Sequence, residues 1–141
     1  MTEKVMISKN VLEQISQHVR ACYPNEGCGL LFYEHDIIKD ASPLANETDK
    51  GRLHNHYLID PMKMYELECE KEKKGLLTAG VYHSHPDKPA VLSFEDNRLM
   101  IPELIYLILS VDRSGVKEVK AYVKPLETMT EKELNTYVLT A

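Results

Sequence analysis

His83 and His85 stand two residues apart in Gly80-Val81-Tyr82-His83-Ser84-His85-Pro86, and this spacing is the first feature of the chain able to do chemistry. On an extended strand, residues i and i+2 leave the same face, so both imidazoles point one way. Two ring nitrogens so placed can converge on one ion at the roughly 2.0–2.1 Å that zinc prefers. Pro86 stops the strand. The chain then returns to Ser93 and Asp96, three apart and hence on one face of a short helix. Asp96 is placed to be a third ligand. Two histidines and one carboxylate leave the fourth tetrahedral position open to water, the layout of a catalytic and not a structural zinc.

Each fragment also has a plainer reading. Ser93 and Asp96 by themselves make a helix start, with Ser93 as cap and Asp96 in the favourable first turn. His54 and His56 repeat the two-residue spacing, with Asp60 four residues on. Spacing alone does not choose between the two histidine pairs. The preferred reading of His54 and His56 is two polar residues on an edge strand, and the lesser one is that they line a substrate groove. Cys28 offers a thiol, but no histidine is tied to it by the pattern, so it reads as a small buried strand residue.

The elements around these residues follow from periodicity. Val11, Leu12, Ile15 and Val19 recur at helical spacing, with Ser8 placed to cap and Pro24 to stop, which predicts an amphipathic helix over 9–22. Leu30 to Tyr33 reads as a strand and Ile37-Ile38 as its hairpin partner. Residues 45–52 read as a polar loop without core residues. His54 to Ile59 reads as a short strand, and Asp60-Pro61 opens a helix whose buried stripe is Met62, Tyr65 and Cys69, ended by Gly75. Leu76 to His85 is a strand, Pro86 to Leu92 a loop and Ser93 to Met100 a short helix. Ile105 to Val111 and Val116 to Val123 pair through Asp112-Arg113-Ser114-Gly115. Thr130 to Leu139 fits either a helix or a strand. The alternation predicts an α/β three-layer sandwich, a mixed β-sheet with helices on both faces.

With 141 residues and a mass of 16.2 kDa, the chain predicts a single domain over residues 1–141 that needs no metal or disulfide simply to fold. Its 43% hydrophobic and 28% charged content excludes collagen-like, low-complexity and disordered readings. The formal charge of −5, without a dense Lys/Arg cluster, disfavours nucleic acid as a partner. Three cysteines without a C-x-x-C spacing predict reduced thiols in a cytoplasmic protein. Neither a signal peptide nor a run long enough to cross a membrane is evident; the longest apolar run is Leu104 to Val111.

His83-Ser84-His85-Pro86, six residues, Ser93, two residues, Asp96 resembles the signature of the JAMM metallopeptidases, also called MPN-plus or JAB domains. The resemblance runs from the helix at 9–22 to the strand pair ending near Val123, and it implies a fold related to cytidine deaminases. It also implies one zinc per chain on His83, His85 and Asp96. A glutamate after the first helix completes the family's site, and Glu26 of Asn25-Glu26-Gly27-Cys28-Gly29 occupies that position. Residue type alone makes Glu26 a helix-terminal surface carboxylate beside glycines that would let a substrate approach closely. The resemblance makes it the general base that takes a proton from a zinc-activated water, with Ser93 donating to the oxyanion. Leu92 departs from the proline that close relatives often carry there, which bears on loop geometry only.

The implied function is a zinc peptidase or isopeptidase acting at the Gly-Gly tail of a ubiquitin-like or sulfur-carrier protein. The alternatives are a non-catalytic scaffold that keeps the fold, disfavoured by the intact ligand set, and another zinc hydrolase such as a nucleobase deaminase. A deaminase pairs its His or Cys with Pro-Cys-x-x-Cys, which this chain lacks. Ligand type alone leaves iron, cobalt and nickel open besides zinc.

Overall fold

The strand that carries both histidines is the centre of the architecture. In the computed structural model, which describes residues 4–140, it runs from Leu77 to Pro86 as β4. It lies between β2 (Cys28–Glu34), to which it is antiparallel, and β5 (Ile105–Asp112), to which it is parallel. Almost every residue of β4 is buried, as expected for a strand covered on both faces. His83 sits opposite Cys28 on one side and Ile108 on the other.

Strand alternation divides the interior in two. Toward one face point Leu31, Tyr82, Leu107 and Leu109, which pack on Val11, Ile15 and Val19 of helix α1 (Lys9–Cys22). Toward the other point Leu30, Phe32, Val81 and Ile108, covered by Tyr57, Ile59 and the inner side of helix α2 (Pro61–Glu72). Burying each of these large side chains is worth about 1.5–3 kcal/mol, so both faces are strongly specified.

The remaining strands are β1 (Lys4–Ser8), β3 (Ile37–Leu44), β6 (Gly115–Val123) and β7 (Lys132–Leu139). The sheet is mixed, with helices on both faces, as the sequence predicts. It differs from an open sandwich in closing on itself in the order β1-β3-β2-β4-β5-β6-β7. The closure is made by β1, which pairs in parallel with β3 and with β7. Neither end of the chain shows this locally: β1 gives only Val5 and Ile7 as buried alternation, and β7 gives a single buried residue, Leu134.

Turn chemistry agrees with the sequence at several points. His35 and Asp36 both have positive φ between β2 and β3, the backbone of a tight two-residue hairpin. Asp60 caps α2 by accepting from the Met62 N–H at 2.9 Å, with Pro61 first in the helix. Ser8 occupies the cap position of α1, yet its hydroxyl makes no cap bond.

Two expectations are corrected. His54 to Ile59 is not a strand; after a 3-10 turn over Lys50–Arg52, the segment runs as irregular chain. It reads as alternating because Tyr57 and Ile59 reach the core while Leu58 faces out. The inward stripe of α2 is the half-buried Met64 and Leu67, whereas Met62 and Tyr65 are 62% and 63% exposed; Cys69 is half-buried. Both registers are equally apolar. The observed one is fixed by Lys71, which bonds Asp40 at 2.5 Å, and Glu68, which accepts from Thr78 at 2.7 Å.

Candidate metal centre

Pro86 ends β4, the Pro86 to Leu92 loop turns back, and Ser93 starts helix α3 (Phe94–Leu99). The helix start is a complete capping box: Ser93 Oγ accepts from the Asp96 N–H at 2.9 Å, and Asp96 Oδ2 accepts from the Ser93 N–H at 3.1 Å. That box aims the Asp96 carboxylate at the end of β4. His85 Nε2 lies 3.0 Å from Asp96 Oδ2, His83 Nε2 lies 3.3 Å from Asp96 Oδ1, and the two Nε2 atoms are 3.3 Å apart. The helix-start reading of Ser93 and Asp96 and the ligand reading are thus both satisfied by one geometry.

Among the described residues, His83, His85 and Asp96 form the one group of histidine, cysteine and acidic side chains suited to hold a metal, with ligand atoms all within 4.8 Å of one another. His85 Nδ1 donates to the Pro89 carbonyl at 3.0 Å, which turns Nε2 toward Asp96. His83 is fully buried, with its ring stacked on Tyr57 at 4.3 Å between centroids. Burial pushes the His83 pKa down. His85 is also penalised by burial, but its bonds to Asp96 and to the Pro89 carbonyl outweigh that and raise it. The Asp96 carboxyl is held well below the usual range, because hydrogen bonds from both histidines overcome its own burial. Three converging, water-poor donors of nitrogen and oxygen type suit zinc.

Glu26 is buried, not a surface group, at 6% exposed. Burial first, and the nearby Asp96 charge second, push its pKa up to about 8 against the pull of His85. Its Oε1 is buried without a hydrogen-bond partner, an anomaly that a water held beside a bound ion would resolve. The glycines next to it serve packing, not substrate approach. A Cβ on Gly29 would lie 2.4 Å from the Ser42 carbonyl and 2.5 Å from the Tyr82 ring, and one on Gly27 would lie 3.1 Å from Cys22 Sγ.

The stretch over 45–52, a coreless polar loop by composition, forms the other wall. Asn46 donates to the Glu26 and His56 carbonyls, at 3.2 and 2.9 Å, and accepts from the N–H groups of Thr48 and Leu58. His56 bonds Thr48 and Glu95, and Arg52 joins Glu95 at 3.2 Å, tying this wall to α3. His56 is therefore spoken for, and His54 is exposed; neither belongs to the metal group. His56 instead lines a groove of about 360 Å³ with Tyr57, Ile59, Met64, Leu99 and Tyr106, which Ser93 and Asp96 join to the metal centre. Cys28 is buried and its thiol is pushed up to about 12 by burial, which disfavours the thiolate that a nucleophile needs. All three cysteines are free. Among the described residues, no helix is long and apolar enough to cross a membrane.

The family described as prokaryotic homologs of the JAB domain matches residues 8–123, most of the chain and every residue of the site. The chain belongs to this family. Among curated proteins, the JAB-domain chain is 27% identical over 122 residues to a Thermus thermophilus protein named a probable TtuB-protein conjugate cleaving protease, covering 84% of this chain and 75% of that one. Among solved structures it resembles a Desulfitobacterium hafniense protein at 28% identity, with a TM-score of 0.81 over 97% of this chain and 94% of that one. A JAB1/MPN domain protein from Archaeoglobus fulgidus shares the fold at 20% identity, with a TM-score of 0.60 over 95% and 98% of the two chains.

Sequence reasoning points to His83, His85, Asp96, Ser93 and Glu26; the structure brings the first three together, bonds Ser93 to Asp96, and sets Glu26 within electrostatic reach of His85 and Asp96. It misses Asn46 and Tyr57. A lone Asn in a polar loop and a lone Tyr near a helix start carry no local signal of what they contact.

Proposed function

We propose that this JAB-domain chain, residues 1–141 acting as one domain, is a zinc-dependent peptidase or isopeptidase that cleaves at the Gly-Gly tail of a ubiquitin-like or sulfur-carrier protein. The observation that carries the reading is the convergence of three donors, buried His83 and His85 and half-buried Asp96, beside the buried Glu26, whose Oε1 has no partner. The Thermus relative's name supports a substrate in which one protein is joined to another.

His83 Nε2, His85 Nε2 and one Asp96 oxygen would hold the zinc, which supplies Lewis acidity and lowers the pKa of water toward about 7. Glu26 takes the proton of the attacking water and returns it to the leaving amine. Ser93 Oγ already accepts from the Asp96 N–H, so its own proton is free to donate to the oxyanion that forms on the scissile carbonyl. Tyr57, stacked on His83, and the wall held by Asn46 exclude bulk water from one side. The substrate tail lies in the groove that leads from Asp96.

The test is elemental analysis of the wild type beside His85→Ala, followed by turnover of a Gly-Gly-tailed carrier conjugated to a lysine side chain. About one zinc per wild-type chain, lost in the variant together with cleavage, supports the reading. A wild type that takes up no metal after zinc is supplied overturns it.

A further inference from the structure

Glu26 raises a question of position. A side chain whose carboxyl oxygen finds no partner is not held by its own tip, so its location is set by its backbone. Every backbone polar group of Glu26 and Gly27 is engaged. The Glu26 N–H donates to the Leu53 carbonyl at 2.7 Å, and the Glu26 carbonyl accepts from Asn46 at 3.2 Å. The Gly27 carbonyl accepts from the Ser84 N–H at 3.0 Å, and the Gly27 N–H donates to Ser84 Oγ at 2.8 Å. Ser84 therefore supplies two of the four bonds.

The second of these bonds is unusual. Cys28 pairs with His83, so Gly27 is the next antiparallel partner of Ser84. In a continuing ladder the two residues would exchange backbone bonds only. Here the hydroxyl of Ser84 takes the place of its carbonyl as acceptor, and β2 leaves the ladder at Gly27. Val19 and Cys22 of α1 crowd Gly27 as well, so that an added Cβ would lie 3.1 Å from Cys22 Sγ and 3.3 Å from Val19 Cγ1. Gly27 is thereby pinned between α1 and a hydroxyl that grows from between the two metal-site histidines. Ser84 is fully buried and faces away from the groove, on the side of the sheet where Tyr82 lies.

We propose that Ser84 is a positioning residue: its hydroxyl, by capturing the Gly27 N–H, turns the chain out of the sheet and sets Glu26 at working distance from the His83–His85–Asp96 centre. The same residue thus spaces the two histidines and registers the base against them. This deepens the peptidase reading and rests on it for its kinetic arm. Three other side chains are the relevant controls. Alanine at 84 removes the acceptor, threonine keeps it, and cysteine keeps the volume with a much weaker one.

The experiment measures four properties of zinc-loaded wild type, Ser84→Ala, Ser84→Cys and Ser84→Thr. They are zinc content, exchange of the Gly27 amide, the crystallographic position of the Glu26 carboxyl, and kcat and KM on the lysine-linked Gly-Gly carrier. The expected result for Ser84→Ala and Ser84→Cys is an undiminished zinc content, faster Gly27 exchange and a Glu26 carboxyl displaced by about 1 Å. Their kcat falls about 10–100-fold while KM stays within about twofold, the cost of a small misplacement of a catalytic group. Ser84→Thr restores exchange, position and kcat. Should Ser84→Ala fold poorly, the volume-matched Ser84→Cys answers alone. An undisplaced Glu26 and unchanged kcat in folded, zinc-bound Ser84→Cys overturn the proposal, as does a threonine variant as slow as the alanine one. If the wild type cleaves no such conjugate, the peptidase reading fails, and the Gly27 exchange and the Glu26 position still decide the role of Ser84.

Discussion

His83, His85 and Asp96 lie within residues 83–96 and hold one another, through a strand end, a proline, a short loop and a capping box. Glu26, Asn46 and Tyr57 reach the same centre from three separate stretches, and what holds them is long-range: Leu53 for Glu26 and Ser84 for its neighbour Gly27, four bonds to Asn46, a stacked ring for Tyr57. One half of the centre is therefore built by local geometry and the other by tertiary contacts. The first half should tolerate distant change and fail by losing its ion. The second should keep the ion and fail by losing alignment.

The largest effects should separate those two failures. Asp96→Ala and His85→Ala are expected to abolish zinc binding and all turnover, read by elemental analysis. Glu26→Gln should keep a full equivalent of zinc and still lose about 10²–10⁴-fold in kcat, the span ascribed to positioned acid–base groups. Full turnover by Glu26→Gln would break the division.

A second expectation concerns pH in the metal-free protein. The folded pKa of Glu26 is raised from 4.5 to about 8, so the folded state holds this proton longer than the unfolded state does. The contribution of Glu26 to stability is therefore most favourable below about 4.5 and declines as pH rises toward 8, where burial of the ionised carboxylate costs most. Each tenfold of proton affinity is worth about 1.4 kcal/mol. Denaturant melts of metal-free wild type and Glu26→Gln should diverge over that window, the variant gaining relative stability as pH rises. Parallel curves would mean that Glu26 is solvated in solution.

Asn46→Asp keeps the acceptor used by Thr48 and Leu58 but loses both donated bonds, including the one to the Glu26 carbonyl. It should cost about 1–3 kcal/mol of stability and lower kcat with zinc retained, since it leaves buried carbonyls unpaired. Zinc loss in this variant would show that the two halves are not separable. The smallest effect belongs to the surface: removing Lys74, whose contact with Glu70 is 3.8 Å and exposed, should leave both melting temperature and turnover unchanged.

The same division separates what is legible in the sequence from what is not. The His83-x-His85 and Ser93-x-x-Asp96 spacings encode their own geometry, because strand and helix periods convert residue number into direction. Family resemblance supplies Glu26, but not its burial, nor the backbone bonds that tie it to Leu53 and Asn46 in the wall over residues 45–59. That wall looks like a polar loop and a strand because its structure depends on one Asn that satisfies four partners, and composition shows nothing of this. The α2 stripe lies two residues from its expected place for a related reason: its register is chosen by Lys71 and Glu68 meeting Asp40 and Thr78 across the sheet. Of the closing strands, β1 escapes detection and the stretch over 130–139 fits a helix as well as the strand it forms, both for want of a local hydrophobic pattern.

Those closing strands also govern the order of assembly on the ribosome. β1 is made first, yet only Met6 and Ile7 find partners in β3, whereas all five of its residues pair with β7, made last. Residues 26 to 96, which contain the whole proposed site, are synthesised while β1 still lacks most of its hydrogen bonds. At about 5–20 residues per second, seconds separate the two events. Until β7 emerges, the nascent domain exposes two unpaired strand edges, a period in which a chaperone or a second nascent chain competes for the same backbone.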